Sequence, residues 1–130
     1  MFHIKTVTTL LLTLLIIGSC STIKGTDNFI KTELYFGLSQ DTVDITEDQW
    51  ASFKESVLDK EFEGYNEVNC NGVWTGADKN TISENCKVIV YLNKGSAEDQ
   101  DKINLVINAY KNRFNQESVL CIETKVKANF

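Results

Sequence analysis

Cysteine, glutamate and histidine are the residue types here that could do chemistry, and their placement narrows the choice quickly. The chain of 130 residues holds four cysteines and one histidine. That histidine, His3, falls in an N-terminal apolar segment with the form of a cleaved signal peptide, so the part left after cleavage has no imidazole. Ser-His-Asp and Cys-His nucleophile systems and imidazole metal sites are thereby excluded. Cys70, Cys86 and Cys121 lack CxxC spacing, so no zinc site is expected. Neither GADKNT (76–81) nor CNGVWTG (70–76) has the glycine spacing of a phosphate loop, and no cofactor is expected. Glu84 is the odd residue, an acid within an apolar strand pattern. A raised pKa there could serve acid–base chemistry; strand-end solvation or a hydrogen bond to the Trp74 indole is the plainer account. Asp41, Asp44, Glu47 and Asp48 miss the spacing of a calcium loop and suit the positive end of a helix instead.

Those residues need elements to hold them. Residues 32–39 (TELYFGLS) alternate as a strand, with Leu34, Phe36 and Leu38 on one face and Glu33, Tyr35 and Gly37 on the other. Gly37 leaves room for something to approach the backbone closely. Thr46 and Gln49 form a capping box for a first helix, with Trp50, Phe53, Val57, Leu58 and Phe62 on its apolar face and Gly64 as a left-handed stop. Residues 65–75 and 82–92 read as a hairpin folded about Asp78. Val68, Cys70 and Trp74 share its core face with Ile82, Glu84, Cys86, Val88, Val90 and Leu92, while Lys87, Ile89 and Tyr91 face away. Cys70 and Cys86 then lie nearly opposite each other, as a disulfide or as two buried thiols; Cys121 stays free.

Ser96 caps a second helix with Asp99 at its third position, and Ile103, Val106, Ile107, Tyr110 and Phe114 make its stripe. Glu98 and Lys102 pair on its surface, and Asn115 ends it. Residues 117–126 form the last strand. The order strand, helix, strand, strand, helix, strand predicts an α+β fold. Its expected form is a ferredoxin-like βαββαβ two-layer sandwich, a four-stranded antiparallel sheet with two helices on one face. The open face would carry Tyr35, Gly37, Ile89, Tyr91, Val119 and Cys121. A face so apolar is often closed by a second copy, a homodimer, or by a ligand; loops or the tether are the alternative.

The N-terminus says where the chain goes. A basic start is followed by a twelve-residue apolar run, 6–17, short of the about 20 residues that span a bilayer. Ile17-Gly18-Ser19-Cys20 resembles the lipobox of bacterial lipoproteins, which implies cleavage before Cys20 and acyl chains on its sulfur. An ordinary signal peptide followed by a chance cysteine is the alternative. The resemblance implies a membrane anchor in the bacterial cell envelope, with Ser21 favouring the outer membrane facing the periplasm in a two-membrane host. The expected domains are 1–19 signal peptide, 20–31 lipidated cysteine and flexible tether, and 32–127 one globular domain. Lys5 is the only charged residue of 1–19, so the remainder carries 12 basic and 18 acidic side chains, a net charge of −6. That acidity opposes nucleic-acid binding, which needs clustered Lys and Arg.

Glu33-Leu34-Tyr35-Phe36-Gly37, Trp50 with Phe53, Trp74, Ile82 with Glu84, Tyr110, Phe114 and Gln116-Glu117-Ser118-Val119-Leu120 resemble the uncharacterised bacterial domain of unknown function family 3574. The resemblance implies a fold and no mechanism. This chain departs from that family between Lys60 and Val68, where the family tends to a segment with proline and arginine. Three functions follow as expectations. The first is an envelope lipoprotein with a small binding or self-association domain. The second is a small dimeric ferredoxin-like enzyme or ligand carrier using Glu84, Tyr35 or Tyr91. The third is an inhibitor of an envelope enzyme.

Overall fold

The computed structural model describes residues 27–40, 43–75 and 79–130. The expected signal segment, Cys20, Asp41 and Asp78 lie outside the described residues, as does the side chain of Trp74. Strand β1 (Asp27–Gly37) is followed by a small ribbon, β2 (Ser39–Gln40) and β3 (Val43–Asp44). Helix α1 (47–61), β4 (Asn66–Thr75), β5 (Thr81–Asn93), α2 (Ala97–Phe114) and β6 (Leu120–Ala128) complete the chain. The four long strands pair antiparallel in the order β4-β5-β1-β6, and both helices pack on one face. This is the expected ferredoxin-like α+β sandwich.

Both helices begin as their sequences predict. Gln49 N–H donates to Thr46 Oγ1 at 3.2 Å and Thr46 N–H to Gln49 Oε1 at 2.9 Å, and Ser96 with Asp99 repeats the device. Helix α1 widens to a π-turn over Lys54–Leu58, where Ser56 Oγ bonds back to the Ser52 carbonyl. The wide turn has a packing consequence. Phe53 and Leu58, five residues apart, are both fully buried, a spacing that a regular 3.6-residue helix would not bring to one line. The helix stops at Phe62, which turns extended and stacks on Tyr91 at 4.2 Å. Gly64 does not adopt the left-handed stop that its type suggested; packing of Phe62 ends the helix instead. Asn115 does take that conformation, φ 49°, and ends α2.

Three boundaries move. Strand β1 reaches back to Asp27, five residues into the expected tether, because 27–31 pair with 124–128 of β6. Strand β6 accordingly runs to Ala128 and starts at Leu120.

The faces of β5 are the main correction. Leu34 pairs with Ile89, Phe36 with Lys87 and Thr32 with Tyr91, so all of these point at the helices. Ile89 and Tyr91 are core residues, and Val119 and Cys121 pack against that core. They do not belong to the open face. Val88, Val90 and Leu92 take their place there, with Cys86, Glu84 and Ile82. The physical reason is that residues 88–92 are apolar at every position, so alternation alone leaves the parity of β5 undecided. Two features of the helix layer decide it. Phe62 accepts Tyr91 as a stacking partner, and acids and amides under α1 accept Lys87.

Candidate functional site

Antiparallel partners share a face, so the register lays out the side of the sheet away from the helices. Its centre is a row across all four strands, Val68, Val88, Tyr35 and Leu120. Val90 and Ile122 flank it on one side, and the linked Cys70 and Cys86 on the other. Several of these side chains stand in water: Leu120 is 57% exposed, Val68 52%, Ile82 46% and Ile122 39%. Charges within this apolar field are compensated locally. Lys31 and Glu33 pair with each other at 3.1 Å.

Glu84 lies at one end of the field, on the open face and not in the core. Its Oε1 accepts the Ser39 N–H at 2.8 Å. The carboxylate rests directly on Gly37, where an added Cβ would meet Oε1 at 2.5 Å. Glycine at 37 is therefore the seat of the acid. From the helix side, Tyr110 OH donates to the Gly37 carbonyl at 2.5 Å and Gln116 Nε2 to the Ser39 carbonyl at 2.6 Å. Burial, and then the charge of Glu84, push the Tyr110 phenol above its ordinary range. Gly37, Glu84, Tyr110 and Gln116 are far apart in sequence, yet meet around three residues of backbone.

Under α1 lies a second polar group that the sequence reading placed on the wrong face. Lys87 is 5% exposed. Its Nζ meets Glu47 at 3.0 Å, Asn69 Oδ1 at 2.8 Å and Glu67 at 3.6 Å. Glu67 also accepts from Trp50 Nε1 at 3.0 Å and Lys54 Nζ at 2.9 Å. Burial works against its charge, but the bonds from Lys54 and Trp50 outweigh that and hold its carboxyl below the usual range. Every partner is satisfied within the fold, so this cluster reads as structural. Its signal in the sequence was a lysine in the middle of an apolar strand, which is buried only with acids to receive it.

Cys70 and Cys86 face each other with Cα atoms 4.8 Å apart and are joined as a disulfide. Cys121 is a free, half-buried thiol; burial, and then Glu123, raise its pKa, which makes it a poor nucleophile. Two clefts, of about 340 Å³ beside Lys87 and Asn85 and about 430 Å³ beside Phe29 and Lys125, have neither Glu84 nor Tyr35 nor Tyr91 in their walls. Among the described residues no three His, Cys, Asp or Glu side chains gather to hold a metal.

Comparison with known proteins agrees with this picture at the level of fold. The family described as "Protein of unknown function (DUF3574)" matches residues 31–130, and the chain belongs to it. No curated protein matches. Among solved structures, a phage SAM lyase in complex with S-methyl-5'-thioadenosine is similar at TM-score 0.58 and 18% identity, over 77% of this chain and 90% of that one. A phage SAM lyase in its apo state gives 0.56 and 18%, over 87% and 98%. At such identity the likeness shows the fold alone.

Proposed function

For a member of a family without an assigned activity, we propose a binding domain that works through its open sheet face, carried on a lipid anchor at Cys20 in the bacterial envelope. The observation behind it is an apolar row that crosses all four strands, in which Val68, Leu120 and the neighbouring Ile122 stand in water while Val88 is buried. Burying it against a protein partner removes that cost, at about 25 cal/mol per Å². The test uses the full chain in its native membrane. Leu120→Glu places a charge in the field at a site exposed enough to leave the fold intact. Wild type is expected in a complex above its own mass on a native gel, and Leu120→Glu at monomer mass. An unchanged complex rejects the reading. Cys20→Ser tests the anchor separately and should move the protein out of the membrane fraction.

A second reading has one observation in its favour, the Glu84 carboxylate held on Gly37 at the edge of an apolar field. An enzyme or carrier built this way would take a cationic group on an apolar body, and the similar SAM lyase was solved with S-methyl-5'-thioadenosine. S-adenosylmethionine, with its sulfonium, is the natural probe. Calorimetric binding abolished in Glu84→Gln supports this reading; no heat at millimolar ligand rejects it.

A further inference from the structure

We infer that the occupant of the open face is a second copy of this chain, laid face to face about a twofold axis that runs across the strands. This rests on the reading of the open face as the binding surface and names its partner. Three observations carry it.

The first is area. Four strands about 4.8 Å apart, ten residues long at about 3.3 Å each, present roughly 600 Å² in projection. Two such faces together exceed the roughly 1,000 Å² expected of a specific interface.

The second is charge. The chain is acidic, at −5, so two copies repel over most of their surfaces. The charged residues at the register positions of the open face and at its far end are Asp27, Lys31, Glu33, Glu84 and Lys94, three acids and two bases. Of the chain's −5 this face carries only −1, so it meets its own image with little repulsion.

The third is placement. Glu84 marks one end of β5's open face. Lys94 follows the other end, its Nζ 3.6 Å from the centre of the Phe29 ring. Their midpoint is residue 89, flanked on this face by Val88 and Val90, the apolar centre. A twofold across the strands at that point sets Glu84 of one copy over Lys94 of the partner subunit, twice. Sheets packed face to face cross at about 30°, which at this distance from the axis leaves an offset that a lysine side chain spans.

The arrangement has a distinctive readout. Glu84 and Lys94 of one copy are ten residues apart along an extended strand, about 33 Å, so a zero-length link between them joins two chains. The full chain in detergent is treated with a carbodiimide, the cross-linked band is digested, and its mass is measured by ultracentrifugation beforehand. A dimer mass and a Glu84–Lys94 peptide are expected. Lys94→Arg, which keeps the charge and cannot form the amide, should lose that peptide and keep the mass. Leu120→Glu should be monomeric with an unchanged circular dichroism spectrum. A wild-type monomer overturns the second copy; if the native complex is still lost in Leu120→Glu, the open-face reading survives with another partner. A dimer untouched by Leu120→Glu overturns both. A dimer lost in Leu120→Glu but without the Glu84–Lys94 peptide overturns the antiparallel arrangement.

Discussion

A methyl group at position 37 would lie 2.5 Å from Glu84 Oε1, so one of the two must give way. The carboxylate is the flexible partner, but moving it surrenders the bond from Ser39 N–H. Gly37→Ala is therefore expected to cost about 1–2 kcal/mol, a hydrogen bond to a charged group plus some crowding. In a Glu84→Ala background the same change should cost close to nothing, since the obstruction is gone. Urea denaturation of the four proteins measures the coupling. Additive costs would mean that glycine serves its own backbone and not the acid. The sequence shows that Gly37 makes room for something but not for what, because Glu84 comes from another strand, 47 residues on.

Elements with local causes were legible, and those set by tertiary choice were not. Thr46 with Gln49 and Ser96 with Asp99 satisfy helix termini within four residues, so the sequence alone locates both starts. Residues 88–92 offer two apolar faces, and the choice between them lies with Phe62 and the acids around Lys87, outside the strand. The start of β1 was hidden for a similar reason. Residues 27–31 lack a clean alternation and are held as strand by pairing with β6. The open face was foreseen as a surface, with Tyr35 and Gly37 rightly placed and Ile89, Tyr91 and Val119 not. The β4–β5 hairpin is further fixed by Cys70–Cys86, which close a loop with a sequence separation of 16. Removing the bond in Cys70→Ser/Cys86→Ser should cost about 3 kcal/mol in the chain-entropy model. A urea midpoint equal to that of the oxidised wild type would show that the pairing of the strands suffices.

For the molecule as a whole, acid is the condition that tests its electrostatics. Among the described residues, Glu67 and Asp99 are the carboxylates held below their ordinary values of 4.5 and 3.8. Burial opposes ionisation at both, but the bonds from Lys54 and Trp50, and those from Ser96, outweigh it. A group with a lowered folded pKa binds its proton more readily when unfolded. Its stabilisation is present above the unfolded value and lost as pH falls through the folded one. The melting temperature should be level from pH 7 down to about 5 and fall below about 4. Glu67→Gln should start lower and fall less steeply; a parallel curve would remove Glu67 from the account.

With the anchor proposed at Cys20, the opening of strand β1 at Asp27 would set a leash. Seven residue steps separate it from Cys20, a reach of at most about 25 Å. In the proposed antiparallel pair the two β1 entries would sit at opposite ends of strands about 36 Å long. If both copies carry the proposed anchor, two short leashes at opposite ends, fastened to one bilayer, would let the pair settle only on its side, with the symmetry axis upright. The border of the sheet nearest the β1 entries would then lie against the lipid. That border is β6, where Lys125 and Lys127 would meet phosphates, so the same lysines that keep an edge strand from recruiting strangers would steady the pair like feet on a floor.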